Sequence, residues 1–386
     1  MEDFAIPGRE YALVFATAVI ITYLATGAVR LLAVKIKAQT PIRDRDVHAL
    51  PTPRMGGVAV YLGVAGAVLM AMNLPALRRA FESSSEITGV LVAGAVIVLV
   101  GVLDDRFDLD SVTKLAGQIL AAGILVLFGV QWLLMWMPAN NPEGGTTVIF
   151  SQVQGALITV LLTLVLANAM NFIDGLDGLL TGVAIISSIG IFVFSTHQLL
   201  LSEDDLAGSQ PPLIAAALAG ACIGFLPHNF FRARIFMGDS GSMFIGLTIA
   251  AATVSAGGKL NIAEFGGPRS TIALLAPLIV SLAVVFIPLL DFLMAVARRT
   301  REGRHPFSAD KRHLHHRMLA IGHTQRQAVL IFYLWAAVLC AGAVSLAFVK
   351  WQVTVGPFAV GVALAAVLSA WPWVRARRLR KARAAA

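Results

Sequence analysis

The sequence predicts an all-α, polytopic integral membrane protein with about eleven transmembrane helices, the N-terminus outside and the C-terminus in the cytoplasm. Three observations carry that prediction. Of the 386 residues, 58% are hydrophobic and only 13% charged, with a mean hydropathy of +0.79. A soluble domain is about half apolar and about a quarter charged. Apolar runs near or above the ~18–20 residues needed to cross a bilayer recur along the whole chain. Lys and Arg are also divided unevenly between alternate connections, as the orientation rule for membrane proteins requires.

The spans are expected near 11–34, 56–74, 86–103, 115–136, 154–170, 178–200, 211–227, 242–257, 270–296, 327–348 and 353–373. Backbone polar groups in lipid must be satisfied internally, so these runs should be helices and not open sheet. The chain begins "MEDF", with acids where a secretory signal would carry positive charge, so 11–34 reads as a retained span. "TTVIF" at 146–150 is suited to a small strand or hairpin between spans four and five. Pro277 and Pro288 predict kinks in span nine. Cys222 and Cys340 each lie inside an apolar run and read as packed thiols, not as a disulfide framework. No internal repeat or long linker divides the chain. It reads as one polytopic unit over 1–386, ending in a basic tail at 374–386.

Most of the 30 Lys and Arg residues fall in the connections after spans one, three, seven and nine and in the tail. Those segments are therefore expected in the cytoplasm of a bacterial inner or plasma membrane. Topology and anionic lipid account for the net charge of +8, which is then no sign of a nucleic-acid partner.

The polar residues collect on that same side. "VHALPTPRMGG" (47–57), "LDDRFDLDSVTK" (103–114), "NAMNFIDGLDG" (168–178), "HNFFRARIFMGDSGS" (228–242) and "RHPFSADKRHLHHRM" (304–318) follow spans one, three, five, seven and nine. Asn168 and Asn171 are three apart, as are Asp174 and Asp177, a spacing that shares one helix face. No Lys or Arg stands beside them to neutralise the acids. Carboxylate and amide oxygens are hard ligands suited to Mg²⁺, or Mn²⁺ in its place. Lys114, Arg232, Arg234 and the basic loop offer donors for phosphate oxygens. His313, His315 and His316 have no Cys partners and cannot all share a helix face, so pyrophosphate contact suits them better than zinc. Acids for a divalent metal beside a cationic fringe, at a membrane, point to phosphoryl transfer to or from a lipid.

"NAMNFIDGLDGL", "IFMGDSGS", "DDRFDL", the "HLHHR" loop and "TPRMGG" together resemble the polyprenyl-phosphate N-acetylhexosamine-1-phosphate transferases, in order and over essentially the whole chain. The histidine loop is similar to the GlcNAc-1-phosphate branch. The resemblance implies a reaction in which UDP-GlcNAc and a polyprenyl phosphate (undecaprenyl or decaprenyl) give polyprenyl-pyrophosphoryl-GlcNAc and UMP. It implies Asp239 as the principal Mg²⁺ ligand, with Asn171 or Asp174 assisting. Asp104 is implied as the base for the lipid phosphate and Asp105 as its companion near the metal, so Asp104, Asp105, Asp174 and Asp239 form the catalytic set. Lys114 is implied to meet phosphate, Asn229 the nucleotide, and His313, His315 and His316 the nucleotide diphosphate. Arg54, Asn168, Asp177 and Arg234 complete the expected substrate-binding set. The chain departs from the family pattern at Arg232, where a proline is expected. Association into a homodimer is compatible with this reading. The same chemistry with another UDP-N-acetylhexosamine or with UDP-MurNAc-pentapeptide is the nearest alternative, and a secondary transporter is the alternative from another class.

Overall fold

The computed structural model describes residues 6–39, 51–138, 145–201, 210–257, 279–280, 282–283, 285–303 and 314–385. The first half runs α1 (Gly8–Lys35), α2 (Gly56–Ala71), α3 (Pro75–Ser83), α4 (Glu86–Phe107), α5 (Ser111–Leu127), β1 (Leu134–Pro138), β2 (Gly145–Ile149) and α6 (Gln152–Ile173). It continues through α7 (Leu179–Leu201), α8 (Gln210–Asn229), α9 (Gly238–Gly257), α10 (Phe286–Arg301), α11 (Leu314–Ile321), α12 (Gln325–Phe348) and α13 (Trp351–Ala385). The described residues are thus nearly all helical.

Among them, eight helices (α1, α4, α6, α7, α8, α9, α12 and α13) are long and apolar enough to cross a membrane, or nine spans if α2 and α3 are counted as one. These account for most of the expected runs and support a multi-pass membrane protein. One expectation changes. The fourth run does not reach 136: α5 stops at Leu127 and Leu134–Pro138 becomes a strand, paired antiparallel with Gly145–Ile149. The second run, expected to end at 74, is α2, and α3 begins beyond it at Pro75, turned 101° from α2. Glu10 accepts the N–H groups of Ala76 and Leu77 at 3.2 and 3.0 Å, satisfying donors in the first turn of α3. Within the ninth run, residues 282–283 are helical, Val285 is a turn residue and α10 starts at Phe286, which puts Pro288 in its first turn, where a missing N–H has no intrahelical partner to lose. Pro277 and the start of the ninth run lie outside the described residues.

The core is centred on α9, which packs against α2, α4, α6 and α8. Its sequence, "GDSGSMFIGLTIAAATVSAG", is small or apolar all round, the composition of a helix enclosed on every side. Small residues let neighbouring backbones approach closely where no hydrophobic force drives helices together. α13 lies at the rim with most of its surface exposed. Cys222 and Cys340 are free and buried.

Candidate active site

The start of α9 is seated on the end of α4 by one carboxylate. Asp105 is buried, and its Oδ1 accepts the Asp239 N–H at 2.9 Å. Its Oδ2 accepts the Ser240 N–H at 3.2 Å and the Ser240 hydroxyl at 2.8 Å. Both oxygens therefore satisfy donors of a helix start, where the first N–H groups have no intrahelical partner. Gly238 makes the approach possible: its φ is +72°, and a Cβ there would stand 2.5 Å from Asp105 Oδ2. One turn before Asp105, a Cβ on Gly101 would lie 2.2 Å from Ser240 Cα.

Asp104 turns the other way. Its Oδ1 accepts the Leu109 N–H at 2.9 Å, and its Oδ2 accepts the Lys114 ammonium at 2.8 Å. Lys114 Nζ also reaches Asp239 Oδ2 at 3.2 Å, so one cation lies between two carboxylates 135 residues apart in sequence. The Asp104 and Asp239 carboxyl groups therefore lie close together around Lys114. Lys114 is placed by a capped helix: Asp110 accepts the N–H groups of Val112 and Thr113 at 2.9 and 3.0 Å and the Thr113 hydroxyl at 2.5 Å. These donors, the Thr113 hydroxyl foremost, hold the Asp110 carboxyl below its usual range.

The end of α6 closes the cluster. Asn171 Nδ2 donates to Ser242 Oγ at 2.9 Å, and its amide also bonds the Asp239 carboxylate. Asp174 caps α6 at its C-terminal end. Its surroundings exclude water, and the Asp239 and Asp105 charges add to that effect, so its carboxyl is pushed up to about 8 despite the opposing charge of Arg54.

Of the predicted substrate-binding residues, Lys114 and Arg54 join this cluster. Others are spent on architecture. Asn168 Nδ2 donates to Gln118 Oε1 and to the Leu164 carbonyl, both at 2.8 Å, tying α6 to α5. Asp177 is buried and its Oδ2 accepts the Ala233 N–H at 3.0 Å. Asn229 is buried, with Oδ1 accepting the Thr181 hydroxyl at 2.7 Å and Nδ2 donating to the Ile235 carbonyl at 3.1 Å. Asp177 and Asn229 thus shape the turn leading into α9, which carries the Phe231–Arg232 peptide in the cis form. Arg234 is exposed on that turn. His315 and His316 lie on α11, with His316 exposed, and His313 lies outside the described residues.

Ser240 and Ser242, within the quoted "IFMGDSGS", bond Asp105 and Asn171, and Gln118, the partner of Asn168, was not among the expected residues. Gln118 had a signal, since it stands four residues after Lys114 on the same helix face. The two serines were visible only as residues flanking Asp239.

No three His, Cys, Asp or Glu side chains among the described residues already form a metal cluster. The chemistry of the donor set nevertheless fits a hard divalent cation. Asp104, Asp105, Asp174 and Asp239 outnumber Lys114 and Arg54. Mg²⁺ is usually held by one or two carboxylates together with water and substrate phosphates, and not by an all-protein cage. Asp105 is committed to N–H and hydroxyl donors, and Asp239 would hold it together with Asp174 or the Asn171 amide oxygen.

Residues 87–257, from α4 through α9, match the family model described as glycosyl transferase family 4. The chain is 49% identical over 370 residues to a decaprenyl-phosphate N-acetylglucosaminephosphotransferase of Mycobacterium tuberculosis, covering 96% of this chain and 91% of the relative. The corresponding protein of Mycobacterium leprae is 47% identical over 343 residues, covering 89% of this chain and 85% of the relative. A probable undecaprenyl-phosphate N-acetylglucosaminyl 1-phosphate transferase of Bacillus subtilis is 29% identical over 339 residues, 86% of this chain and 84% of its own length.

Proposed function

This chain belongs to glycosyl transferase family 4, and from that membership we propose that it transfers GlcNAc-1-phosphate from UDP-GlcNAc to a polyprenyl phosphate, releasing UMP. The observation that carries the reading is Lys114 held between Asp104 and Asp239 in a chain 49% identical to a named decaprenyl-phosphate N-acetylglucosaminephosphotransferase. That relative's name also favours decaprenyl phosphate over undecaprenyl phosphate as acceptor.

The chemical problem is to bring two anions together. An oxygen of the lipid phosphate attacks the sugar-bearing phosphorus of UDP-GlcNAc, the new P–O bond forms, and the bond to UMP breaks. A phosphate monoester has a second pKa of about 6, so most of the acceptor needs no strong base at neutral pH. Asp104 Oδ2 would take the remaining proton of a singly protonated acceptor and orient the attacking oxygen. Lys114 would exchange a carboxylate partner for a phosphate oxygen as substrate enters. Asp105 would set the position of Asp239 through the backbone of α9. Asp239, with Asp174 or Asn171, would hold Mg²⁺, which would supply positive charge against the pyrophosphate oxygens. Positioning and electrostatics supply most of such catalysis. Direct attack is the reading adopted; exchange of labelled UMP into UDP-GlcNAc without acceptor would instead favour a phospho-aspartyl step.

The site is assigned to the cytoplasmic face on the Lys and Arg bias of the connections that carry it. The deciding experiment is a radiolabelled transfer assay on purified protein with a polyprenyl phosphate and Mg²⁺. UDP-GlcNAc, UDP-GalNAc and UDP-MurNAc-pentapeptide are supplied in parallel, each arm repeated with EDTA and with Asp239→Ala. Lipid-linked label from UDP-GlcNAc alone, lost in both controls, is the expected result. Label from another sugar would change the donor and keep the mechanism. No lipid product from folded protein with any donor would overturn the transferase reading.

A further inference from the structure

Beneath the carboxylate cluster lies a second polar layer, one helical turn further in from that end of the bundle. On α5, Gln118 stands four residues after Lys114; on α9, Met243 stands four after Asp239; on α6, Asn168 stands three before Asn171. Residues three or four apart lie one above the other on a helix face, about 4.5–6 Å apart along the axis. Gln118 joins the three helices. Its Oε1 accepts from Asn168 Nδ2 at 2.8 Å, and its Nε2 donates to Met243 Sδ at 3.2 Å.

The polarity of this relay is fixed from one end. The Leu164 carbonyl can only accept, and it takes an N–H of Asn168 at 2.8 Å. The same NH₂ group faces Gln118, which makes Oε1 the acceptor and turns Nε2 towards Met243. Gln118 is buried, and a buried amide is costly unless it is hydrogen-bonded. α5 packs mainly on α4 and α6 and meets α9 little. Apolar contact is also non-directional. The Gln118 bonds therefore supply a directional tie between α5 and α9, directly behind the point where Lys114 reaches Asp239.

We propose that Gln118 is a positioning residue for Lys114. By fixing α5 against α6 and α9 one turn below the site, it sets the reach of the Lys114 ammonium to Asp104 and Asp239, and so its place beside the reacting phosphates. This rests on the transferase reading and deepens it: Gln118 acts through Lys114 and is not itself a catalytic residue.

The test is a double-mutant cycle on the full-length purified protein in nanodiscs, read as kcat for transfer from UDP-GlcNAc to polyprenyl phosphate at saturating substrates. Gln118→Met keeps the length of the side chain and removes both bonds. It should lower kcat about 10–10²-fold, the scale of a ~1 Å displacement of a positioned group. In a Lys114→Ala background the same substitution should lower kcat by no more than about twofold, because the residue through which it acts is gone. A merely structural role would give the same fold-loss in both backgrounds, since independent effects multiply in rate. Met243→Leu is a volume-conserving exchange of the kind cores tolerate, and it removes only the acceptor of Nε2. Its loss should be smaller, about threefold, and should also vanish without Lys114. That variant decides the matter if Gln118→Met does not fold. A folded Gln118→Met protein with kcat within about twofold of wild type, or an undiminished loss in the Lys114→Ala background, overturns the proposal. Inactive wild type with every donor would instead remove the transferase reading beneath it.

Discussion

Asp105 and Ser240 lie 135 residues apart in sequence, yet the Ser240 N–H and hydroxyl both donate to Asp105 Oδ2, at 3.2 and 2.8 Å. With the Asp239 N–H on Oδ1, one buried carboxylate satisfies three donors at the start of α9. The neighbouring acids therefore divide their labour: Asp104 faces Lys114, while Asp105 faces the backbone of the central helix.

Asp105→Ala leaves those donors without their acceptor. Each buried unsatisfied polar group costs about 1–3 kcal/mol, so both thermal stability and transfer activity should fall sharply. Ser240→Ala removes the hydroxyl bond alone and should cost about 0.5–1.5 kcal/mol with most activity retained. Melting midpoints in detergent, set beside the transfer rate, check the difference. Equal effects from the two substitutions would count against the clamp.

Lys114→Ala leaves Asp104 and Asp239 facing each other without their shared cation. Loss of a preorganised electrostatic contact of this kind lowers kcat by about 10²–10³, and that range is expected here. Lys114→Arg keeps the charge but changes its geometry, so it should be intermediate. Transfer rates at saturating substrates read the effect.

Asp174 predicts the pH dependence of the metal-free protein. Its folded carboxyl is raised from 3.8 to about 8, so the folded state binds more protons than the unfolded state between those values. Stability is then greatest, for this group, below pH ~4 and is lost as pH rises towards ~8. Melts in EDTA across that range should show the decline, and Asp174→Asn should flatten it. Added Mg²⁺ should stabilise the wild type more at pH 8 than at pH 6, because ligands must be deprotonated.

Gly101→Ala tests the seating of α9 on α4. The new Cβ would stand 2.2 Å from Ser240 Cα, so the helices must part. Overpacking of this sort costs about 1–3 kcal/mol. Because the displaced element carries Asp239, activity should fall further than the melting midpoint suggests. A fully active Gly101→Ala protein would show that the close approach is dispensable.

The family was legible in the chain because short motifs carry it, and the same motifs hold the residues expected at the site. Asp104, Asp174, Asp239 and Lys114 were all visible in that way, and the structure gathers them at one end of the bundle. The helices were legible too, because lipid forces each apolar run to bond its own backbone. What misled was division within a run: nothing in residues 115–136 distinguishes the end of α5 from the strand that follows, since both are apolar.

Sequence by itself determined which side chains can bind a phosphate or a hard cation, and that they recur at alternate connections of a membrane protein. Only the tertiary structure decided what each of them is free to do. A carboxylate or an amide has a fixed number of lone pairs and donors, and long-range contacts decide which are already used. Asp105, Asp177 and Asn229 are spent on backbone and hydroxyl partners 134, 56 and 48 residues away. Asp239 and Lys114 keep their charge directed at one another, and thus at whatever enters between them.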